Sequence, residues 1–325
     1  MVETIMVEDA LEIKDCVFID VRTPKEFEEY HIKDAINVPL FSNSERHEIG
    51  CLYKQVSQEK AIQFGMDMFL SRVDSYLKEI KGIKKDLIVY CWRGGMRSRA
   101  IAELFNTKGY RVWQLDGGIK AYRNYILKKL NEFNYDFEFY VLCGLTGSGK
   151  TKVLKNFENS LDLEDLAQHR GSLFGGVGLK RRSQKMFDVL LFSELEGLKG
   201  FNRVLIEGES RKIGDLILPE KLFTKIRRGK KIFLEVNLDE RAKNIREEYF
   251  VGSQILEIKN ILLNMKQILS INVVNDLVNK VDEGDYFYVS KKLLEKYYDS
   301  KYRYTMKDFK FDFFVKNLEE IKLIF

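Results

Sequence analysis

The sequence predicts an α/β protein of two domains, each built on a mostly parallel sheet, with a helical region completing the second. Three observations predict it. Apolar runs of strand length alternate with stretches of helical period, the pattern of a parallel sheet covered on both faces. The alternation starts afresh near Asp136. Two glycine-rich loops, WRGGMRS and GLTGSGKT, each follow an apolar run directly and each open a helical stretch. A chain of 325 residues has the length for about two domains at roughly 150 residues each. The boundary falls between Leu130 and Asp136, giving domains over residues 1–134 and 135–325, and nothing there is rich in Pro or Gly.

In chain order, CVFIDV (Cys16 to Val21) has the length of a buried strand. Pro24 then opens a short helix, PKEFEEY, where its missing N–H costs nothing. AINVPL (Ala35 to Leu40) reads as a second strand. From Gln58 to Ile80 the spacing predicts one helix, with Ile62, Met66, Phe69, Leu70, Val73 and Leu77 on one side. DLIVYC is a continuous apolar run ending at Cys91, followed by the first glycine-rich loop and the helical RAIAELFNTKG. RVWQLDGG predicts a strand and IKAYRNYILKKLNEF a helix. In the second domain FEFYVLCG predicts a strand, GLTGSGKT a loop and KVLKNFENS the start of a helix. RVLIEG (Arg203 to Gly208) and KIFLEVN (Lys231 to Asn237) predict further strands, with a long helix from about Lys180 to Lys199 before them. From Asp239 onward the pattern reads as almost wholly helical.

Composition narrows the function classes. With 45% hydrophobic and 32% charged residues, the chain is neither disordered nor membrane-embedded. No run approaches the ~18 apolar residues of a membrane span. The first residues, beginning Met1-Val2-Glu3, carry acids where a secretory leader carries basic residues. These features predict a cytoplasmic protein with no membrane partner. The net charge of +5 permits a nucleic-acid or phosphate partner without demanding one. The four cysteines (Cys16, Cys51, Cys91, Cys143) lack CxxC spacing, and only three histidines accompany them. They point to neither structural zinc nor a disulfide framework. Cysteine chemistry here would be thiolate chemistry. Cys51, in EIGCLYKQV, reads as inert, a resolving thiol being the alternative.

Cys91 ends a buried strand and is followed by Trp92, Arg93, Gly94, Gly95, Met96, Arg97 and Ser98. Reactive groups of open parallel sheets sit beyond the carboxyl ends of strands. Two glycines let the backbone curl around the sulfur, and backbone N–H groups with Arg93 and Arg97 favour an anion there. The thiol should therefore be acidic, able to hold a terminal sulfur or selenium atom. A phosphatase cradle shares the five-residue gap between Cys91 and Arg97. It is disfavoured because Tyr90, not His, precedes the cysteine and no acid is placed as a proton donor. A buried cysteine beside a tight turn suits Cys16 and Cys143 better than it suits this loop.

Gly144-Leu145-Thr146-Gly147-Ser148-Gly149-Lys150-Thr151 is a complete G-x-x-x-x-G-K-T between a predicted strand and a predicted helix. This Walker A context predicts a P-loop NTPase-like α/β domain. Backbone amides of Gly144, Gly147, Ser148 and Gly149 would face phosphate oxygens, Lys150 would supply charge, and the Thr151 hydroxyl would hold Mg²⁺. The matching carboxylate is Glu207 or Glu209 in RVLIEGES, Glu207 being the more economical choice. Arg211 and Lys212 could reach a second phosphate.

Several motifs carry resemblances. IDVRTPKEF (Ile19 to Phe27), HIKDAINVPL (His31 to Leu40) and LDGGIKAY (Leu115 to Tyr122) match, in order, the signatures of the rhodanese family. The loop at Cys91 is one residue longer than the usual rhodanese version, which suits a bulkier terminal atom or a larger acceptor. DLEDLAQHRGSLFG (Asp162 to Gly175), EGESRKIG (Glu207 to Gly214), IREEYF (Ile245 to Phe250) and LLEKYYDSKYRY (Leu293 to Tyr304), with CWRGGMRS and GLTGSGKT, resemble the tRNA 2-selenouridine synthase family over nearly the whole chain. Trp92, Met96 and Leu145 depart only at variable motif positions.

The resemblance implies replacement of sulfur by selenium in a wobble 2-thiouridine of tRNA, with selenophosphate as donor. It also implies geranylation of the thiouridine sulfur from geranyl diphosphate. Carried onto this chain, Cys91 would bear selenium as a perselenide, and Gly144 to Thr151 would be the phosphate loop. No permanently bound cofactor is implied; selenophosphate and geranyl diphosphate are substrates, and Mg²⁺ would accompany the diphosphate. A geranylated sulfur leaves as a neutral thiol, which makes the exchange easier, and assigning the diphosphate to the P-loop fits that order. For an anticodon loop, candidate contacts are His169, Arg170, Lys180, Arg181, Arg182 and Lys185, with Arg227, Arg228, Lys230 and Lys231 as a second basic set. Tyr297, Tyr298, Tyr302 and Tyr304 are candidate stacking groups. His169 would transfer a proton or serve structurally. Two other readings remain: a P-loop kinase or NTPase with a sulfur-delivering rhodanese module, and a non-catalytic adaptor, which the intact Cys91 and GKT disfavour.

Overall fold

The computed structural model describes residues 2–252, 254–301 and 310–325. It divides into two compact units, Met1–Glu132 with Asp188–Phe192, and Phe133–Phe187 with Ser193–Phe325.

The first unit runs β1 (Glu3–Ile5), α1 (Val7–Glu12), β2 (Cys16–Asp20), α2 (Pro24–Glu29), β3 (Ile36–Asn37), α3 (Asn43–Gln55), α4 (Gln58–Leu70), α5 (Val73–Glu79), β4 (Asp86–Tyr90), α6 (Met96–Thr107), β5 (Val112–Leu115) and α7 (Gly118–Glu132). Its sheet has the order β1-β5-β4-β2-β3, every pair parallel. β4 is central and buried on both faces, as its unbroken LIVY requires. The loops after β2, β4 and β5 therefore gather at one carboxyl edge. Beneath them lies a buried ion pair: the Arg22 guanidinium binds the Asp20 carboxylate and the Tyr30 carbonyl, with both charged side chains wholly buried. The IDVR signature is thus an internal clamp at the end of β2.

Two elements depart from the periodicity. The helix expected over 58–80 is two, because the chain turns at Ser71-Arg72. There the Ser71 hydroxyl caps the Met68 carbonyl at 2.8 Å, and Arg72 reaches across to Glu45. α3 is the second departure. Ser42 and Glu45 form a reciprocal capping box at its start, an S-x-x-E signal that the apolar pattern alone does not reveal.

From Phe133 onward the chain runs β6 (Glu138–Cys143), α8 (Lys150–Leu154), β7 (Ser160–Leu161), α9 (Leu163–Ala167), α10 (Gln184–Gly197, of which Asp188–Phe192 group with the first unit), β8 (Arg203–Glu207), the short hairpin β9 (Lys212–Ile213) and β10 (Leu216–Ile217), α11 (Glu220–Arg227), β11 (Lys230–Leu234), α12 (Leu238–Tyr249), α13 (Gln254–Asn264), α14 (Ile271–Asp282), α15 (Tyr286–Leu293), β12 (Phe313–Val315) and α16 (Leu318–Ile324). The sheet of the second unit, β12-β11-β6-β8-β7, is again wholly parallel, with β6 at its centre. α12 to α15 pack a second core around Ile258, Leu262, Val274, Leu277, Val289 and Leu293.

The region after Asp239 is not wholly helical. β12 returns to pair with β11, aligning Phe313 with Ile232. A three-residue strand presents too few residues to show alternation. α10 starts at Gln184, with Ser183 as its cap, not near Lys180. The Arg182 guanidinium bonds the carbonyls of Asp165 and Leu166 and holds the preceding residues in a loop. Among the described residues no helix is long and apolar enough to cross a membrane.

Candidate active site

In the first unit, Cys91 follows the central strand β4 and is 3% exposed. Its Sγ accepts hydrogen bonds from the Gly95 N–H and the Ser98 hydroxyl, each at 3.3 Å. Gln114 on β5 braces this loop by donating to the carbonyls of Gly94 (2.6 Å) and Gly95 (3.1 Å) and to Ser98 Oγ (2.9 Å). Gly94 sits at φ +66°, and a Cβ there would lie 2.6 Å from the Leu115 carbonyl oxygen. Gly118 at φ +55° passes equally close to the Cys91 carbonyl. These glycines allow the loops after β4 and β5 to close together around one sulfur.

Burial pushes the Cys91 thiol up. The Ser98 hydroxyl, the Arg97 charge and the N–H groups of Ser98 and Arg93 outweigh that push and hold it below the ordinary thiol range. Arg97 is itself fixed by Glu26 at 3.1 Å, so its charge is positioned, not mobile. Burial raises Cys16, and it raises Cys143 to about 11. The structure thus singles out Cys91 from these three by its loop, not by burial. Trp92, Met96 and the exposed Arg93 line a cavity of about 1050 Å³ above the sulfur, and Cys51 on α3 lines the same cavity. The Cys51 Sγ lies 3.7 Å from His47 Nε2.

In the second unit, β6 leads into the phosphate loop. Gly147 and Gly149 both take left-handed φ, +80° and +81°. A Cβ on Gly147 would meet the Arg241 carbonyl oxygen at 2.7 Å. α12 holds the loop from one side. Asn244 donates to the Gly147 carbonyl at 2.9 Å, and Arg241, itself gripped by Asp299, donates to the Thr146 carbonyl. The Lys150 ammonium reaches back to the Gly144 carbonyl at 3.4 Å. The buried Ser148 hydroxyl has no protein partner. Gly147, Gly149, Lys150 and Thr151 line a cavity of about 980 Å³, together with Glu164, Glu209, Arg170, Arg181 and Lys212.

Three carboxylates converge beside Lys150. Glu207 ends β8, Glu209 follows it and Glu164 lies in the first turn of α9; one oxygen from each falls within 4.8 Å of the others. Glu207 is wholly buried. One of its oxygens accepts the Glu164 N–H at 2.7 Å, and the other has no partner. Burial, reinforced by the neighbouring acids, lifts Glu207 far above the usual carboxylate range and Glu164 to about 8. Burial also lifts Glu209, against the pull of Lys150. Three acids that repel one another around an unpartnered oxygen are the donor set of a hard divalent cation, so these residues fit Mg²⁺. Glu207 and Glu209 belong to one cluster, and Glu164 joins them. It lies within DLEDLAQHRG, and only the fold brings α9 beside β8.

The remaining candidates separate. The buried His169 accepts the Gly171 N–H on Nδ1 at 3.1 Å, and burial followed by the Arg181 charge lowers its pKa. It therefore stands in the cavity wall as a neutral ring that shapes the 169–175 loop. Arg170 pairs with Glu248 and stacks on Tyr249. Arg181 pairs with Asp215 at the cavity edge. Arg182 is spent on backbone carbonyls, and Lys185 lies in the first turn of α10. Lys180 precedes that helix. Arg211 does not line the cavity; it pairs with Glu220, whereas Lys212 does line it. Lys230 pairs with Glu138, and Lys231 caps the Arg227 carbonyl; Arg228 caps α11. Tyr297 and Tyr298 are buried in the helical core and reach the cavity only at its wall, so they are not open stacking platforms. Tyr302 and Tyr304 lie outside the described residues.

Comparison with known proteins bears on the family of the chain. Residues 6–125 match the rhodanese-like domain, and residues 137–261 match the tRNA 2-selenouridine synthase AAA domain. A protein of Hydrogenovibrio crunogenus named tRNA 2-selenouridine synthase is 33% identical over 255 residues, spanning 74% of this chain and 70% of its own length. One of the same name from Nitrosomonas europaea is 35% identical over 257 residues, spanning 76% of this chain and 66% of its own length. A third, from Nitrosomonas eutropha, is 32% identical over 280 residues, 83% of this chain and 72% of its own. With both domain matches in order and identity of this level over most of its length, the chain belongs to the tRNA 2-selenouridine synthase family.

Proposed function

We propose that this protein replaces sulfur by selenium in a wobble 2-thiouridine of tRNA, in two steps divided between its loops. The observation that supports this reading is the pairing of an acid-shifted, buried Cys91 in one unit with a phosphate loop and a carboxylate cluster in the other.

In the first step the thiouridine sulfur attacks C1 of geranyl diphosphate. The C–S bond forms as the C–O bond breaks, diphosphate leaves, and N3 of the base gives up its proton. Lys150, the loop amides and the Ser148 hydroxyl hold the departing diphosphate as its charge grows. Mg²⁺ held by the Thr151 hydroxyl and the cluster at Glu164, Glu207 and Glu209 would add positive charge to that leaving group. Arg181 and Lys212 line the same cavity and extend its positive wall.

In the second step selenium adds to C2, and the sulfur leaves with its geranyl chain as a neutral thiol after taking a proton. Selenium originates from selenophosphate at the selenide level: water takes the phosphoryl group as the P–Se bond breaks, phosphate leaves, and the selenide is held as an anion at the Cys91 loop until it adds to C2, so neither an oxidant nor a reductant enters the step. Ser98, Gly95 and Arg97 favour an anion at that position.

The test of the first step uses an anticodon stem-loop RNA containing 2-thiouridine, with geranyl diphosphate, Mg²⁺ and no selenium source. Wild type should form the S-geranyl nucleoside, and Lys150→Ala should lose most of that activity. Geranylation left intact by Lys150→Ala, with ATP hydrolysis abolished instead, would reassign the loop to ATP and favour a nucleotide-consuming enzyme.

A further inference from the structure

The cavity above Cys91 is built for something other than a small anion. It lies wholly within the first unit and has a volume of about 1050 Å³, at the upper end of the roughly 300–1,000 Å³ of small-molecule sites. Phe41, just before α3, Ile49 on α3 and Ile62, Met66 and Phe69 on α4 line it, together with Cys91 and Met96. Its lining includes the exposed cationic residues Arg46 and Arg93. Transfer of sulfur or selenium between small polar molecules needs only the anion-holding loop already described. It gives no reason for an apolar chamber.

Two further observations bear on the occupant. Met66 and Met96 expose 46% and 63% of their surface at this cavity. Large apolar side chains of this kind, adaptable in shape, mark a surface that something apolar covers. Cys91 is itself among the lining residues, so an occupant of the cavity lies beside the cysteine.

We propose that this cavity receives an apolar chain of about ten carbons carried on the sulfur of the tRNA base, so that the thiol leaving group is held beside Cys91 as the C–S bond breaks. The inference rests on the reading that an S-alkylated base is the substrate of the second step. It assigns the chain to the cysteine unit, whereas the phosphate loop holds only the diphosphate from which the chain came. Exposed Arg46 and Arg93 are placed to meet the RNA backbone while the chain enters between α3 and α4.

The experiment measures equilibrium binding of the full chain to synthetic anticodon stem-loops. Their wobble 2-thiouridine carries no S-alkyl group, S-methyl, S-butyl or S-geranyl. Each fully buried methylene strengthens binding by up to about fourfold. Affinity should therefore climb along the series, with the geranyl RNA at least about 30-fold tighter than the methyl RNA. Met66→Glu, which places a charge among the apolar walls, should cut that geranyl-to-methyl ratio at least tenfold. Met66→Leu should keep it, and thermal unfolding of both variants monitors folding. The geranyl RNA should also protect Cys91 from iodoacetamide more strongly than the methyl RNA. Affinity independent of chain length, or a preference unchanged in a folded Met66→Glu protein, overturns the proposal. So does a concentration-dependent dimer that closes the cavity and excludes the chain. If chain length is discriminated but wild type forms no geranylated RNA from geranyl diphosphate, the pocket stands and the two-step reading fails.

Discussion

Ser98→Ala isolates the hydrogen bond that, on this account, keeps the Cys91 thiol acidic. The Ser98 hydroxyl donates to the Cys91 sulfur at 3.3 Å and heads the influences that oppose burial there. A hydrogen bond to a charged group contributes about 1.5–3 kcal/mol. At about 1.36 kcal/mol per pH unit, its loss should raise the Cys91 pKa by about one to two units. The substitution should leave little collateral damage, because Gln114 keeps its bonds to the Gly94 and Gly95 carbonyls. The assay is the pH dependence of Cys91 alkylation by iodoacetamide in a Cys51→Ser background. The wild-type midpoint should lie below that of an ordinary thiol, and the Ser98→Ala midpoint well above the wild-type one. The linked effect on stability follows in sign. A depressed thiol pKa stabilises the fold above the ordinary thiol range, and that contribution is lost as pH falls through the folded value. Ser98→Ala should thus cost most at alkaline pH. An unmoved alkylation midpoint would refute the view that this hydroxyl sets the thiolate.

The carboxylate cluster makes the opposite pH prediction. With folded pKa values raised, its contribution is present below the ordinary carboxylate range and lost as pH rises, through about 8 for Glu164. Thermal stability should fall between pH 5 and pH 8, and either Glu207→Gln or millimolar Mg²⁺ should shrink that fall. Gly118→Ala should destabilise the first unit by about 2 kcal/mol or more, because φ is +55° and the new Cβ would crowd the Cys91 carbonyl; denaturant unfolding measures it. Asp20→Asn should cost about 3–5 kcal/mol in the same assay by leaving the Arg22 guanidinium buried without its counter-charge. Replacing Lys180 and Lys185 by Gln should weaken tRNA binding and flatten its salt dependence, and an unchanged salt slope would remove that segment from the interface.

Much of the site was legible because its chemistry is local in sequence. The cysteine loop and the G-x-x-x-x-G-K-T each place their donors within eight residues, and each lies between a strand and a helix. What was not legible depends on distant elements meeting. Gln114 braces Cys91 from β5, Arg241 and Asn244 brace the phosphate loop from α12, and Glu164 joins the acids at β8 only because β7 pairs with β8. The apolar chamber was hidden for a related reason. Ile62, Met66 and Phe69 show helical period, but periodicity does not say whether an apolar face meets a core or a cavity. The tyrosines failed differently. Residues able to stack on bases are equally suited to a buried core, and at Tyr297 and Tyr298 packing prevailed.

The division of labour between the two loops is tested most directly by mass spectrometry of one RNA. A 2-thiouridine anticodon stem-loop is incubated with geranyl diphosphate, Mg²⁺ and selenophosphate, using wild type, Cys91→Ala and Lys150→Ala. Wild type should yield 2-selenouridine, Cys91→Ala should stop at the S-geranyl nucleoside, and Lys150→Ala should leave 2-thiouridine largely unchanged. Selenouridine formed equally well by Cys91→Ala, or no change to the RNA in any sample with active reagents, would contradict the account.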